Sequence, residues 1–247
     1  MALSGQKKIK VSSALRLRIV KYCAITGDLI KSREIQQRNK VQMKLTKILD
    51  KVNKQFHSVV VANFSITLGD EFQGLIKSLE ESYNITKFIT RLLYPVQVSF
   101  GVGEGAIYTS IEDTTSKMDG ECFFRSREAL EKAKDMGKSL IYATGDEKRD
   151  TAVNTILMLM DTIRQNWKDL HWRRVWKFEE LRTYKAVAKV EKVSFQKIYK
   201  SLKVAKYEKI RLAEESIALL LSVHPQRGEN YKFTPRGVKI TNSPLKR

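Results

Sequence analysis

The sequence predicts an α+β fold: a ferredoxin-like palm, built as βαββαβ with an extra αβ unit, followed by an all-α domain containing a helix-turn-helix. Three observations predict it. Through residue 143, short β-rich runs alternate with segments whose apolar residues recur every three or four positions. From Thr151 to His224 only the helical spacing persists. The 247 residues are 42% apolar with only 12 Gly and 4 Pro, enough for a core, which excludes a wholly disordered or collagen-like chain.

Residues 1–15 read as a flexible arm and 16–147 as the palm. Arg18 to Thr26 is β-rich and ends in Gly27-Asp28, a strand running into a turn. Glu34 to Phe56 carries Val41, Leu45, Ile48, Leu49 and Val52 on one stripe, an amphipathic helix. Ser58 to Leu68 and Phe72 to Ser78 form a hairpin with Gly69-Asp70 at its tip. A helix from about Glu80 to Leu93 stops before Pro95, and Val96 to Tyr108 is a strand interrupted by Gly101, Gly103 and Gly105. After a polar loop, Cys122 to Met136 is helical, Gly137 caps it, and Ser139 to Ala143 is a short strand. Gly145 to Asp150 is the junction. Thr151 then caps a long helix to about Leu170, opening a helical domain over 151–224, and 225–247 is a flexible basic tail.

Lys and Arg number 46 against 27 Asp and Glu, a formal charge of +19 with a pI near 9.8, so a polyanionic partner is expected. Arg182 to Arg211 holds ten basic residues against only Glu191 and Glu208, which points to nucleic acid, the plainer alternative being a solvated helical face. Cys23 and Cys122 lack metal or disulfide spacing, and a reducing cytoplasm is expected. No apolar run reaches the roughly 18 residues of a membrane span, so no membrane partner is expected. His57, His171 and His224 show no ligand spacing, and Trp167, Trp172 and Trp176 suit packing.

Asp28 at the end of the first strand and Asp70 at the hairpin tip fall on one edge of a βαββ sheet, so their carboxylates are expected to converge. Two carboxylates with substrate phosphates suit Mg2+ or Mn2+. Glu71 is a third candidate ligand, and Gly27 and Gly69 would let the backbone pass close to a phosphate. Gly-Asp is also an ordinary turn signal. Glu104 and Asp119 are candidate ligand-loop residues, with turn or bulge punctuation as the alternative. In Arg182 to Leu202 the spacing of Ala188, Val193, Ser194, Ile198 and Leu202 is that of a helix-turn-helix, with Ser194 capping the second helix. Its outer side would present Gln196, Lys197, Lys200 and Lys203, and Lys192 or Glu191 occupies the turn position where glycine is usual. Lys192 and Ser194 complete the candidate DNA-binding set, for double-stranded DNA.

The runs Ile25-Thr26-Gly27-Asp28-Leu29-Ile30-Lys31-Ser32-Arg33, Leu68-Gly69-Asp70-Glu71-Phe72, Gly101-Val102-Gly103-Glu104-Gly105 and Met118-Asp119-Gly120, followed by Phe123, Arg125, Arg127, Glu128 and Ala129, together resemble the SatD family of bacterial proteins. More distantly, the first domain resembles the palm of GGDEF diguanylate cyclases and class III nucleotide cyclases, in which two acids hold metals against a nucleoside triphosphate. The resemblance implies that Asp28 and Asp70 are metal ligands and that Lys134 and Lys138, on the late helix, meet phosphates. Leu29 and Ile30 would then offer backbone amides, and Lys31, Ser32 and Arg33 added charge or donors, to the same phosphates. Leu68-Gly69 replaces the two glycines of the diguanylate cyclase motif, which argues against cyclic dinucleotide synthesis. The implied function is a regulator whose palm binds a magnesium nucleotide and is joined to a DNA-binding helix-turn-helix. The alternative is an active nucleotidyl cyclase or related nucleotidyltransferase using two metals, and a homodimer is left open.

Overall fold

A computed structural model describes residues 20–30, 38–222, 230–234 and 237–241. Strand β1 (Tyr22–Leu29) is central to a five-stranded sheet and is followed by helix α1 (Arg38–Gln55), hairpin β2 (Val60–Leu68) and β3 (Glu71–Ile76), helix α2 (Ser82–Leu93) and β4 (Val98–Gly105). Helix α3 (Glu121–Asp135) and β5 (Leu140–Ala143) complete the expected order. The strands lie β2-β3-β1-β4-β5, antiparallel except for the parallel β4–β5 pair.

Alternation along β1 divides the sheet into two faces. Ile25 and Leu29 join Phe72, Phe100 and the α1 and α2 residues Leu45, Leu49, Ile85 and Ile89 in one core. Ala24 packs on the other face with Leu75, Cys122 and Phe123. There α3 lies so close to β4 that a Cβ on Gly101 would meet the Ser126 carbonyl oxygen at 2.0 Å, and one on Gly103 the Ser126 nitrogen at 2.4 Å. These glycines therefore do not interrupt the strand, as their sequence pattern suggests. They line one face of it and admit the helix backbone.

Gly27 and Asp28 are not in a turn. Both are paired on each side, Gly27 with Phe72 and Phe100, and Asp28 with Glu71 and Ser99. The Phe72 ring covers Gly27, where a Cβ would lie 2.3 Å from the ring, so packing accounts for that glycine. Gly69 is the true turn residue, with φ of 59°.

Helix α4 (Glu147–Arg164) starts four residues before Thr151 and ends earlier than expected. Asp146, not Thr151, is its cap, the side chain accepting from the Arg149 amide at 3.2 Å. Asp150 secures the entry by accepting from Thr144 Oγ1 at 2.7 Å. The chain leaves the helix where Trp167 turns inward and donates Nε1–H to the Ala205 carbonyl at 2.9 Å. Helices α5 (Asp169–Leu181), α6 (Tyr184–Glu191), α7 (Phe195–Val204) and α8 (Tyr207–Ser222) follow. Their Val175, Val187, Ile198 and Ile217 belong to the same apolar cluster as β1 and α1, with Val153, Leu157 and Met160 of α4 in between.

The arm over 1–15 lies outside the described residues. Within 225–247, where a flexible tail is expected, β6 (Asn230–Thr234) and β7 (Gly237–Thr241) pair as an antiparallel hairpin. Among the described residues no helix is long and apolar enough to cross a membrane.

Candidate functional site

Asp28 and Asp70 do share one end of the sheet, because Asp28 stands opposite Glu71, the residue after Asp70. Their side chains are held from different faces. Asp28 alternates with Ala24 and Thr26, and Thr26 Oγ1 lies 2.9 Å from Ser126 Oγ of α3. On that face Lys134 Nζ approaches Asp28 Oδ2 at 3.1 Å. Asp70, only 6% exposed, accepts from Gln42 Nε2 of α1 at 3.3 Å, and the same amide group donates to the Gly69 carbonyl at 3.1 Å. The expected convergence is thus a shared rim, with each carboxylate engaged by a different helix. Gln42 had no sequence signal beyond a polar place on an amphipathic helix.

Lys134 sits in the last turn of α3, where the helix dipole favours a cation. Burial opposes the Lys134 ammonium, but its bonds to Glu131 and Asp28 prevail and hold it above the ordinary lysine range. The turn after it is fixed by Gly137 at φ 60°, with Lys138 N–H donating to the Ala133 carbonyl at 2.7 Å. Lys138 reaches the same rim, its carbonyl accepting from Ser99 Oγ at 3.1 Å. Glu71 is half-buried and accepts from Thr67 Oγ1 at 3.2 Å.

Other expected ligands are elsewhere or occupied. Leu29 is buried in the core, and the Ile30 amide already donates to the Gln97 carbonyl at 2.9 Å. The Ile30 amide is therefore already taken in this conformation. Lys31, Ser32 and Arg33 lie outside the described residues. Glu104 pairs with Cys23, five positions along β1 from Asp28, or roughly 16 Å at the usual strand rise. Its carboxylate meets Arg149 at 3.6 Å and Lys21 at 3.8 Å. Asp119 is at that same far end, where its side chain accepts from the Gly120 amide at 2.9 Å just before α3. The antiparallel β1–β4 register sends the loop after β4, and these two candidate ligand-loop residues with it, to the rim opposite Asp28. Leu68, 81% exposed, projects from the hairpin tip.

In the basic region, α6 and α7 are joined by a short turn. Lys192 adopts φ 53°, ψ 45°, with its amide donating to Lys189 O at 3.4 Å and the Val193 amide to Ala188 O at 3.1 Å, the two bonds of a Schellman ending. Ser194 accepts from the Lys197 amide at 3.4 Å and caps α7. Val187, Ala188, Ile198 and Leu202 are buried, while Gln196, Lys197, Lys200 and Lys203 are exposed. Glu191 fixes α6 to α5 through Arg174 Nε at 2.8 Å and Lys177 Nζ at 3.3 Å.

Asp28 and Asp70 carry the hard oxygen donors a magnesium ion prefers. Among the described residues no group of three or more His, Cys, Asp or Glu could hold a metal alone. Any cation at this rim would need further ligands from outside these residues.

The SatD family's sequence profile matches residues 22–221. No curated protein matches the chain. Similar solved structures include the diguanylate cyclase SiaD of Pseudomonas aeruginosa, at 16% identity and TM-score 0.39, covering 50% of this chain and 50% of that one. A bacterial light-regulated adenylyl cyclase is 11% identical with TM-score 0.40, over 52% of this chain and 44% of that one. The guanylyl cyclase domain of the RhoGC fusion protein from Blastocladiella emersonii is 13% identical with TM-score 0.38, over 46% and 75%. The match therefore spans half or less of the first two proteins' length.

Proposed function

Since the chain belongs to the SatD family, we propose that its sheet domain binds a nucleoside triphosphate with Mg2+ or Mn2+ at the rim of Asp28, Asp70 and Lys134. Occupancy of that rim would regulate binding of double-stranded DNA by a helix-turn-helix made of α6 and α7. The observation that carries the first part is the 3.1 Å pair of Lys134 and Asp28 at the strand end that also bears Asp70. A lysine and two carboxylates on one rim can receive a phosphate chain and its counter-cation together. The second part is supported by the exposed Gln196, Lys197, Lys200 and Lys203 on a helix capped by Ser194. Coupling is supported by the ion pairs of Lys87 on α2 with Glu179 of α5 and Glu214 of α8, at 2.7 and 2.8 Å.

The test is thermal stability and calorimetric binding of the full chain with each of ATP, GTP, CTP and UTP, with and without magnesium. A saturable, magnesium-dependent response that Asp70→Asn abolishes supports the reading. No response to any of the four removes it. Analysis of the same mixtures for new nucleotide products separates binding from the cyclase or nucleotidyltransferase alternative. For DNA, Lys197→Ala with Lys200→Ala should weaken duplex binding and flatten its salt dependence.

A further inference from the structure

A cavity of about 480 Å³ lies between the α2 face of the sheet and helices α4, α5 and α8. That is within the usual range of small-molecule sites, roughly 300–1,000 Å³. One wall is aromatic: Tyr94 and Trp176 have ring centroids 5.1 Å apart, and Trp172 and Trp176 5.4 Å. These three side chains are only partly buried and line the cavity. Trp167 joins the same lining, its ring 4.6 Å from that of Trp172.

The floor is polar and self-neutralising. Arg164 donates through NH2 to Tyr83 Oη at 3.2 Å and to Glu214 Oε1 at 3.0 Å. Lys87 bridges Glu179 and Glu214. The charged lining side chains are Lys87, Lys138 and Arg164 against Asp161, Glu179 and Glu214, so the two signs balance. A ligand carrying net charge gains nothing from such a lining. Arg164 Nε–H, shielded from solvent and without a hydrogen-bond partner among the described residues, lies behind this lining rather than on it.

We propose that this cavity binds an uncharged, flat heteroaromatic molecule with a polar edge, of the nucleobase and nucleoside class. Its ring stacks on one face of the aromatic wall of Tyr94, Trp172 and Trp176, and its polar edge turns to the floor. The site is separate from the Asp28–Lys134 pair, which lies on the α3 face. Because α2, α4, α5 and α8 all contribute to it, an occupant would fasten the helices to the sheet.

The chain has only three tryptophans, and all three line the cavity, so intrinsic tryptophan fluorescence reports on it directly. Full-length protein is titrated with adenosine, guanosine, cytidine and uridine. The expected result is a saturable fluorescence change with at least one of them. It should persist in Asp70→Asn and be weakened at least tenfold in Thr90→Phe, which fills the cavity, and in Trp176→Leu, which removes part of the aromatic wall. Far-ultraviolet circular dichroism checks that each variant is folded, and Trp176→Leu serves as the decisive variant if Thr90→Phe is not folded. No saturable change with any of the four, undiminished binding in folded Thr90→Phe, or loss of binding in Asp70→Asn would overturn the assignment. Because Asp70→Asn is expected to leave this signal intact, its outcome is independent of the proposed triphosphate site.

Discussion

Lys134 Nζ lies 3.1 Å from Asp28 Oδ2, joining the end of α3 to the central strand. Both side chains keep substantial exposure, 36% for Lys134 and 24% for Asp28, so solvent screening limits the pair to less than about 1 kcal/mol of stability. Lys134→Ala should therefore leave the urea midpoint almost unchanged. If the lysine serves phosphate, triphosphate affinity measured by calorimetry should fall about tenfold or more, equivalent to about 1.4 kcal/mol. A lowered midpoint with unchanged affinity would make the residue structural.

The helix that delivers Lys134 depends on glycines for a different reason at each end of its contact. Gly101→Ala would push a Cβ against the backbone of α3, with the Leu130 nitrogen at 2.2 Å, and neither strand nor helix backbone can yield as a side chain would. A loss of about 3 kcal/mol or more is expected. Gly137→Ala meets nothing within 4 Å but must hold φ of 60°, for about 1–2 kcal/mol. Urea denaturation of the two variants checks this order, and a larger loss at Gly137 would contradict it.

Much of this architecture was readable because its signals are local. The stripe Leu45, Ile48, Leu49 and Val52 marks α1, Gly137 marks the end of α3, and Ser194 marks the start of α7. Gly27-Asp28 misleads because a Gly-Asp pair ordinarily signals a turn, whereas this glycine answers to Phe72 on another strand. At α4, Asp146 and Thr151 are both good caps. The choice is made by Asp150 folding back onto Thr144. The two acids could be placed on one rim from strand order alone. Their engagement by Gln42 and Lys134 could not, since it depends on which way each side chain leaves the sheet. The Tyr83–Glu214 bond spans 131 positions and has no sequence signature.

Glu191 and Arg174 offer a test of how α6 is held. Arg174 is 5% exposed and its partner's side chain 12%, so Glu191→Gln strands a buried guanidinium and should cost about 3–5 kcal/mol. Burial raises the Glu191 carboxyl, but bonds to Arg174 and Lys177 outweigh it and hold it below the usual range. A depressed carboxyl stabilises the fold fully above its unfolded value, about 4.3, and the contribution is lost as pH falls through the folded value. The stability difference between the wild type and Glu191→Gln should therefore be flat above about pH 5 and narrow on acidification below about pH 4.3. A gap that stays constant down to pH 2.5 would remove the ion pair as its cause.

Lys192 stands where a glycine would be easier. At φ 53°, ψ 45° it occupies the left-handed region, which costs a side chain about 1–2 kcal/mol that glycine avoids. Glycine gives back part of that gain through its freer unfolded chain, so Lys192→Gly should raise stability by about 1 kcal/mol. The same change removes a cation from the turn leading into α7. If Lys192 contacts a DNA phosphate, the slope of log affinity against log salt should shrink by about one for a duplex of any sequence. A stabilised variant with a smaller slope places the lysine at the DNA backbone, in exchange for local strain. A stabilised variant with an unchanged slope removes Lys192 from the contact set and leaves Lys197 and Lys200 to carry the charge.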